Sequence, residues 1–366
     1  MKLTFINVGN GDSILVEFPD ARFRSGCFVM VIDGGSGEDE EYRENHTGRI
    51  RAVDYLEQAG IDHIDCMVST HIHEDHTCGL LAIAEKWTPS CFFQPFHAGL
   101  AHSMRELSAK PEDRESTRKF IASLNAYQKL VLGIEERGGK IHCLRQGEVQ
   151  ELCGAGEERL AMHVLGPAPG RLGKQEERFA KLYGEEQPGQ KRNGERLCAD
   201  QENSGLVQEL DREMNDVSLI LLLEALGQRI LLPGDTGRDG YPGRGGASPS
   251  AAEKLQADIF KTGHHGQGNS LDLPLLREIS PVWAVICASS DRRYNSADPE
   301  ILKLLRENGT EILFTDCPNV PPYTDGLAPH QAVSLKISDE GVKVEYENCD
   351  GRFDSDSPGG KVPFSG

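Results

Sequence analysis

The chain has 366 residues, 38% of them hydrophobic and 27% charged, enough to bury a sizeable core without metal or disulfide staples. Its 39 basic and 58 acidic side chains give a formal charge of −19, which excludes a broad basic nucleic-acid face and disfavours tight binding to long polyanions. No basic start leads into an apolar core, and the run LILLLEAL falls far short of the about 20 residues of a bilayer span, so the expectation is a cytoplasmic protein with no membrane partner.

In chain order, KLTFINV, ILVEF and CFVMVID read as strands separated by the turns GNGDS and GGSG. RAVDYLEQAG reads as an amphipathic helix stopped at Gly60, DCMVST as a short buried strand, and the segment from Thr77 through LLAIAEKW as a helix closed before Pro89. Residues 103–136 read as mostly helical, KIHCL and RLAMHVLGP as strands. Residues 170–214 are rich in Glu, Lys, Gln and Gly and poor in branched apolar residues, which predicts a charged insertion with short helices, outside the core, and a candidate surface for a protein partner. VSLILLLEAL and RILLPGD then read as strands, 236–250 as a Gly-rich loop, AAEKLQAD as a helix and IFKTGHHG as a strand. Helices at LDLPLLREI and DPEILKLLREN alternate with strands at VWAVICA and EILFTD, and AVSLKIS and VKVEYEN close the fold. The pattern predicts one α/β domain over 1–350, two mixed sheets face to face with helices on the outer sides, and a flexible tail at 351–366. The ten cysteines show no CxxC spacing, so most are expected as buried free thiols in a reducing compartment.

Chemistry concentrates in STHIHEDHTCGL, residues 69–80. Side chains alternate along an extended segment, so His71 and His73 share a side and form a two-imidazole clamp, while Asp75 and His76 lie where the chain turns into a helix and address a second position. Glu74 points away. Imidazole plus carboxylate suits zinc, manganese or iron(II). A solvated turn explains a lone histidine well, but not five polar residues in metal-compatible order directly after a strand.

The string T-H-I-H-E-D-H resembles the HxHxDH signature of the metallo-β-lactamase superfamily. VGNGDSILVEF with VIDGG, SLILLLEALGQRILLPGD and FKTGHHGQGNS are similar, in the same order, to the hydrolase domain of the ComEC competence proteins. The resemblance implies a four-layer αββα sandwich and a centre of two divalent metal ions, zinc or manganese, that activates a hydroxide. It makes His71, His73, Asp75, His76, Asp235 and His264 the metal ligands, with Asp235 bridging. His264 ranks ahead of His265, which is an alternative ligand or a proton donor to the leaving group; Asp75 also orients the hydroxide. The third histidine that most of the superfamily supplies to the first metal is not evident. Asn215 or Asp216, in NDVS, takes its place in chain order, with His97, His142 and His163 as rivals. Asp12 and Asp33 either cap their turns or contact a ligating histidine. Arg292, Arg293 and Asn295 are candidates to hold a substrate phosphate. The implied activity is nuclease or phosphodiesterase, on short, single-stranded or small nucleotide substrates. A carboxyl-type hydrolase acting on a lactone, thioester or β-lactam, and a non-catalytic metal-binding sensor, remain alternatives.

Overall fold

Alternation of side chains sorts the strands into two faces. In Lys2–Ile6 (β1) Leu3 and Phe5 enter one apolar core while Ile6 enters another. In Ile220–Ala225 Leu221 and Leu223 likewise separate from Ile220 and Leu222. A continuous apolar run such as LILLL is what a strand buried on both faces requires. The structure is a computed structural model describing residues 1–43, 46–97, 99–156, 158–184, 197–198, 201–244 and 255–347.

The first sheet is built from β1, Ile14–Pro19 (β2), Cys27–Ile32 (β3), Cys66–Val68 (β4), Cys91–Gln94 (β5) and Lys140–Cys143 (β6). The second contains Val149–Ala155 (β7), Glu158–Gly166 (β8), Ile220–Ala225 (β9), Gln228–Leu232 (β10), Ile259–Lys261 (β11), Trp283–Ile286 (β12) and Glu311–Phe314 (β13). Ala332–Ser338 (β14) and Gly341–Glu347 (β15) return to the first, giving the orders β15-β14-β1-β2-β3-β4-β5-β6 and β13-β12-β11-β10-β9-β8-β7. Each sheet is mixed: β3 to β6 and β10 to β13 run parallel, and the remaining neighbours antiparallel. The core between the sheets joins Leu3, Phe5 and Val16 to Leu221, Leu223 and Ile230. Helices Ala52–Gln58 (α1), Glu74–Lys86 (α2) and Glu115–Glu136 (α3) cover the outer face of the first sheet. Pro169–Tyr183 (α4) and Gln201–Arg212 (α5) pack on the same side, while Leu273–Ile279 (α6) and Pro299–Glu307 (α7) cover the second sheet. The result is the predicted αββα order of layers. Among the described residues no helix is long and apolar enough to cross a membrane.

Four expectations change. The 170–214 segment is charged but not outside the core: Phe179, Leu182, Val207 and Leu210 are buried in the helical layer, because apolar residues at helical spacing suffice to bury one stripe even in a polar sequence. Residues 255–258, read as the end of the helix AAEKLQAD, are not helical. Residues 251–254 and the expected tail at 351–366 lie outside the described residues. Strand β7 escaped the sequence reading because it is a half-exposed edge strand with Val149 turned to solvent. Cys66 and Cys91 are not free thiols: the parallel register of β4 and β5 sets them opposite each other, Cα atoms 5.0 Å apart, and they form a disulfide. A separation of 25 residues carries no local signature of such a pair.

One backbone contact aims the first turn of α2. Gly34 N–H donates to the His76 carbonyl at 2.7 Å and Gly79 N–H to the Gly35 carbonyl at 3.0 Å, so the helix lies directly against the loop after β3. A Cβ at Gly79 would sit 1.9 Å from the Gly34 carbonyl oxygen. Backbone on both sides cannot swing away, so Gly79→Ala is expected to cost about 3 kcal/mol, the upper end for overpacking. Urea denaturation of the variant checks this; an unchanged midpoint would show that the helix re-seats freely.

Candidate metal centre

After β4 the chain bends at His71 and Ile72, His73 is extended, and α2 begins at Glu74. Across that bend His71 Nε2 comes within 3.1 Å of His73 Nδ1. Asp75 and His76 fall in the first helical turn, with the His76 ring 4.3 Å from that of His71. Glu74 is turned to the loop after β3, accepting from Ser36 Oγ at 2.6 Å and Gly37 N at 2.8 Å.

The second sheet supplies the other half. Asp235 follows β10 in the PGD turn, and His264 and His265 follow β11 in a tight turn with φ of 44° and 52°. Left-handed backbone on two consecutive non-glycine residues is strained, and such strain persists where surrounding structure enforces it. Asp235 Oδ2 lies 3.3 Å from His76 Nε2 and 3.1 Å from His265 Nε2, and Asp75 Oδ2 lies 3.4 Å from His265 Nε2. Donor atoms of His71, His76 and Asp235, and of Asp75, His76 and His265, lie within 4.8 Å of one another. The expected order of the pair is thus reversed: His265 joins these donor groups and His264 does not. His264 Nδ1 faces Asn269 Oδ1 at 3.2 Å and its Nε2 faces Asn215 Nδ2 at 3.1 Å. The HisHis dipeptide could not reveal this, because a turn of this shape sends adjacent side chains to different places.

Acidic partners hold the imidazoles from behind. Asp33 accepts from Thr70 N and Oγ1 at 2.8 and 2.6 Å and sits 2.9 Å from His76 Nδ1, which leaves His76 Nε2 facing Asp235. Asp12 Oδ1 lies 3.5 Å from His265 Nδ1, a charge contact without a hydrogen bond. Both contact imidazoles of the cluster rather than merely capping turns, and a hydrogen-bonded partner such as Asp33 fixes tautomer and ring orientation. Lys261, absent from the sequence reading, is fully buried with Nζ 2.5 Å from Asp12 Oδ2 and 3.3 Å from Asp235 Oδ1. A lysine inside the short apolar strand IFK was the available signal.

Near His73 the choice among third donors narrows. Asn215 lines the cleft, and with Nδ2 turned to His264 its buried Oδ1 has no hydrogen-bond partner. Asp216 instead forms an ion pair with Arg171 at 3.0 Å. Asp211, four residues before Asn215 and missed in the sequence, reaches His73 Nε2 at 3.3 Å; the i, i+4 spacing on a helix end was its trace. His163 pairs with Glu224 at 3.2 Å and His142 packs on Phe93, which leaves neither as a rival, and His97 is not among the residues lining the cleft. Of the candidate phosphate binders only Arg293 lines the cleft, committed to Glu41 and Asp291. Arg292 donates to the Ser296 and Ala297 carbonyls, and Asn295 to Asp298, so both secure their own loop.

The field of the cluster favours positive charge. Burial opposes protonation of His76, but Asp235, Asp33 and Asp12 raise its pKa well above the ordinary value; His265 is raised likewise against burial, chiefly by Asp235. His71 moves the other way: burial, then His76 and His73, hold it neutral with a lone pair available. Nε2 of His73, His76 and His265 are buried without a hydrogen-bond partner. Unpartnered imidazole nitrogens among carboxylates that demand compensating charge are what a divalent cation satisfies, so the residues fit the metal group.

The metallo-β-lactamase superfamily profile matches residues 6–90. The chain is 24% identical over 322 residues to ComE operon protein 3 of Bacillus subtilis (strain 168), covering 86% of this chain and 32% of the relative, so it spans about a third of that protein's length. Among solved structures it is similar to the metallo hydrolase Igni18 from Ignicoccus hospitalis KIN4/I, with a TM-score of 0.40 and 11% identity over 92% of this chain and 99% of that one. It is also similar to zinc-bound PqqB from Methylobacterium extorquens, with a TM-score of 0.40 and 12% identity over 86% and 98% of the two chains.

Proposed function

We propose that the protein is a metal-dependent phosphodiester hydrolase acting on nucleotide or short single-stranded nucleic-acid substrates. The observation that carries this reading is the meeting of His71, His73, Asp75, His76, Asp235 and His265 around unpartnered imidazole nitrogens, on an oxygen-rich side completed by Asn215. His71, His73 and Asp235, with the Asn215 oxygen, would hold one cation, and Asp75, His76, Asp235 and His265 would hold a second. Zinc or manganese bound there would polarise the attacking water and the phosphoryl oxygen, making the phosphorus open to attack.

The chain's own residues do the rest. Asp75, steadied by Asn10 Nδ2 at 2.7 Å, orients the attacking water. Lys261 holds one oxygen of Asp235 so that the other faces both His76 and His265. With Nδ1–H given to Asn269, a neutral His264 presents only a lone pair at Nε2, which suits fixing the Asn215 amide better than protonating a leaving group. An amide oxygen where an imidazole would otherwise stand favours the hard phosphoryl chemistry over carbonyl hydrolysis.

Bis-p-nitrophenyl phosphate and p-nitrophenyl acetate, offered with manganese or zinc, separate the readings. The diester is expected to turn over, with loss on chelation and in His73→Ala. Turnover of the acetate alone would reject the proposal in favour of the carboxyl-type hydrolase, and metal binding with turnover of neither would favour the sensor.

A further inference from the structure

The cleft beside the metal centre has a volume of about 310 Å³, at the small end of the roughly 300–1,000 Å³ typical of small-molecule sites. That size suits one nucleotide and not a wrapped polymer. Tyr294 stands on its wall, 68% exposed, the most open of the large hydrophobic side chains among the described residues.

Its exposure is enforced. Arg292, Tyr294, Asn295 and Ala297 all adopt positive φ, from 50° to 58°, a conformation L residues avoid. Ala297 N–H donates to the His265 carbonyl at 3.1 Å and Asp298 N–H to the Gly266 carbonyl at 2.9 Å. The strained loop that carries Tyr294 is therefore tied to the same turn that places His265. Ser116 and Lys119 of α3 also line the cleft, with the Lys119 ammonium 3.2 Å from Glu38 Oε2. Phe120, the other aromatic lining the cleft, is buried and packs edge-on against His73, so it presents no free face.

We infer that Tyr294 is a stacking platform for the base of a nucleotide whose phosphate lies at the metal centre, with Ser116 and Lys119 facing the base edge. The inference rests on the phosphodiesterase reading and adds to it a preference for an aromatic group on one side of the scissile phosphate. Stacking tolerates any base, since each has a π face, so the preference is for nucleotides as a class.

Calorimetric binding of thymidine 5′-monophosphate and of methyl phosphate, with manganese present, tests the platform without turnover. Tyr294→Ala is expected to weaken the nucleotide by roughly 5- to 150-fold and leave methyl phosphate unchanged, while Tyr294→Phe retains both. The same selective loss is expected in kcat/KM for thymidine 5′-(p-nitrophenyl phosphate) against methyl p-nitrophenyl phosphate. Equal losses for both ligands, no loss, or a wild type that binds no nucleotide would overturn the platform. Tyr294-dependent nucleotide binding with turnover of neither diester would keep the platform and remove the hydrolase reading.

Discussion

Asp235→Asn is expected to lower the proposed phosphodiester turnover by more than about 100-fold and to reduce the divalent metal retained by the purified protein, while the fold survives. The magnitude follows from a comparison: partners that only support a metal ligand cost about 10- to 100-fold when removed, and Asp235 faces both His76 and His265 directly. Asp33→Asn supplies the lower rung of the series, since Asp33 contacts only the back of His76 and Thr70, and its loss belongs within that 10- to 100-fold range. Elemental analysis and steady-state kinetics on the two variants check the order. Full metal content and full turnover in Asp235→Asn would place the chemistry elsewhere in the molecule.

Arg49→Met removes about 3–5 kcal/mol of stability, the penalty for stranding buried carboxylates. The Arg49 guanidinium, nearly inaccessible, donates Nε to Asp316 Oδ2 at 2.8 Å, Nη1 to Glu41 Oε1 at 2.9 Å and Nη2 to Ser290 Oγ at 2.6 Å. Glu41 in turn accepts from Asn10 N at 3.2 Å, so the network braces the loop that steadies Asp75. Burial pushes the Asp316 carboxyl up, but Thr47 and Arg49 more than offset it and hold its pKa below the ordinary value. A depressed folded-state pKa contributes stability above the unfolded value of about 3.9 and loses it as pH falls through the folded value. Without Arg49 the carboxylate is strained at neutral pH and relieved by protonation. The gap between wild type and Arg49→Met is therefore expected to be full at pH 7 and to narrow below about pH 4. Chemical denaturation at the two pH values reads this directly, and a constant gap would show that lost packing, not charge, sets the cost.

Much of the architecture was legible because its signals are local. Strands such as CFVMVI and the helix at PEILKLLRE announce themselves by period, and the pair His71 and His73 by its place just after a strand, although a bend and not alternation brings the two rings together. The burial of helices α4 and α5 was hidden by composition, since a sparse apolar stripe in a charged sequence looks like solvent-facing chain. What the sequence withheld at the centre depends on three-dimensional register. Whether His264 or His265 joins the cluster is decided by the strained turn they share, and Lys261 finds its charge partners only once β11 lies beside β10. Asp211 left only the faint trace of its spacing to Asn215, because its nearest chemistry, His73, lies far away in sequence on the other side of α2's entry.

The donors come from opposite walls of the sandwich, four from the segment after β4 and two from the turns after β10 and β11. Ions held between them, as proposed, would act as a clasp joining one half of the polypeptide to the other, and a chain still being synthesised has no complete seat until its later strands arrive. Loading with metal would then be a late event, and a fragment stopping short of residue 235 is expected to hold metal more weakly than the whole chain, since it lacks Asp235 and His265.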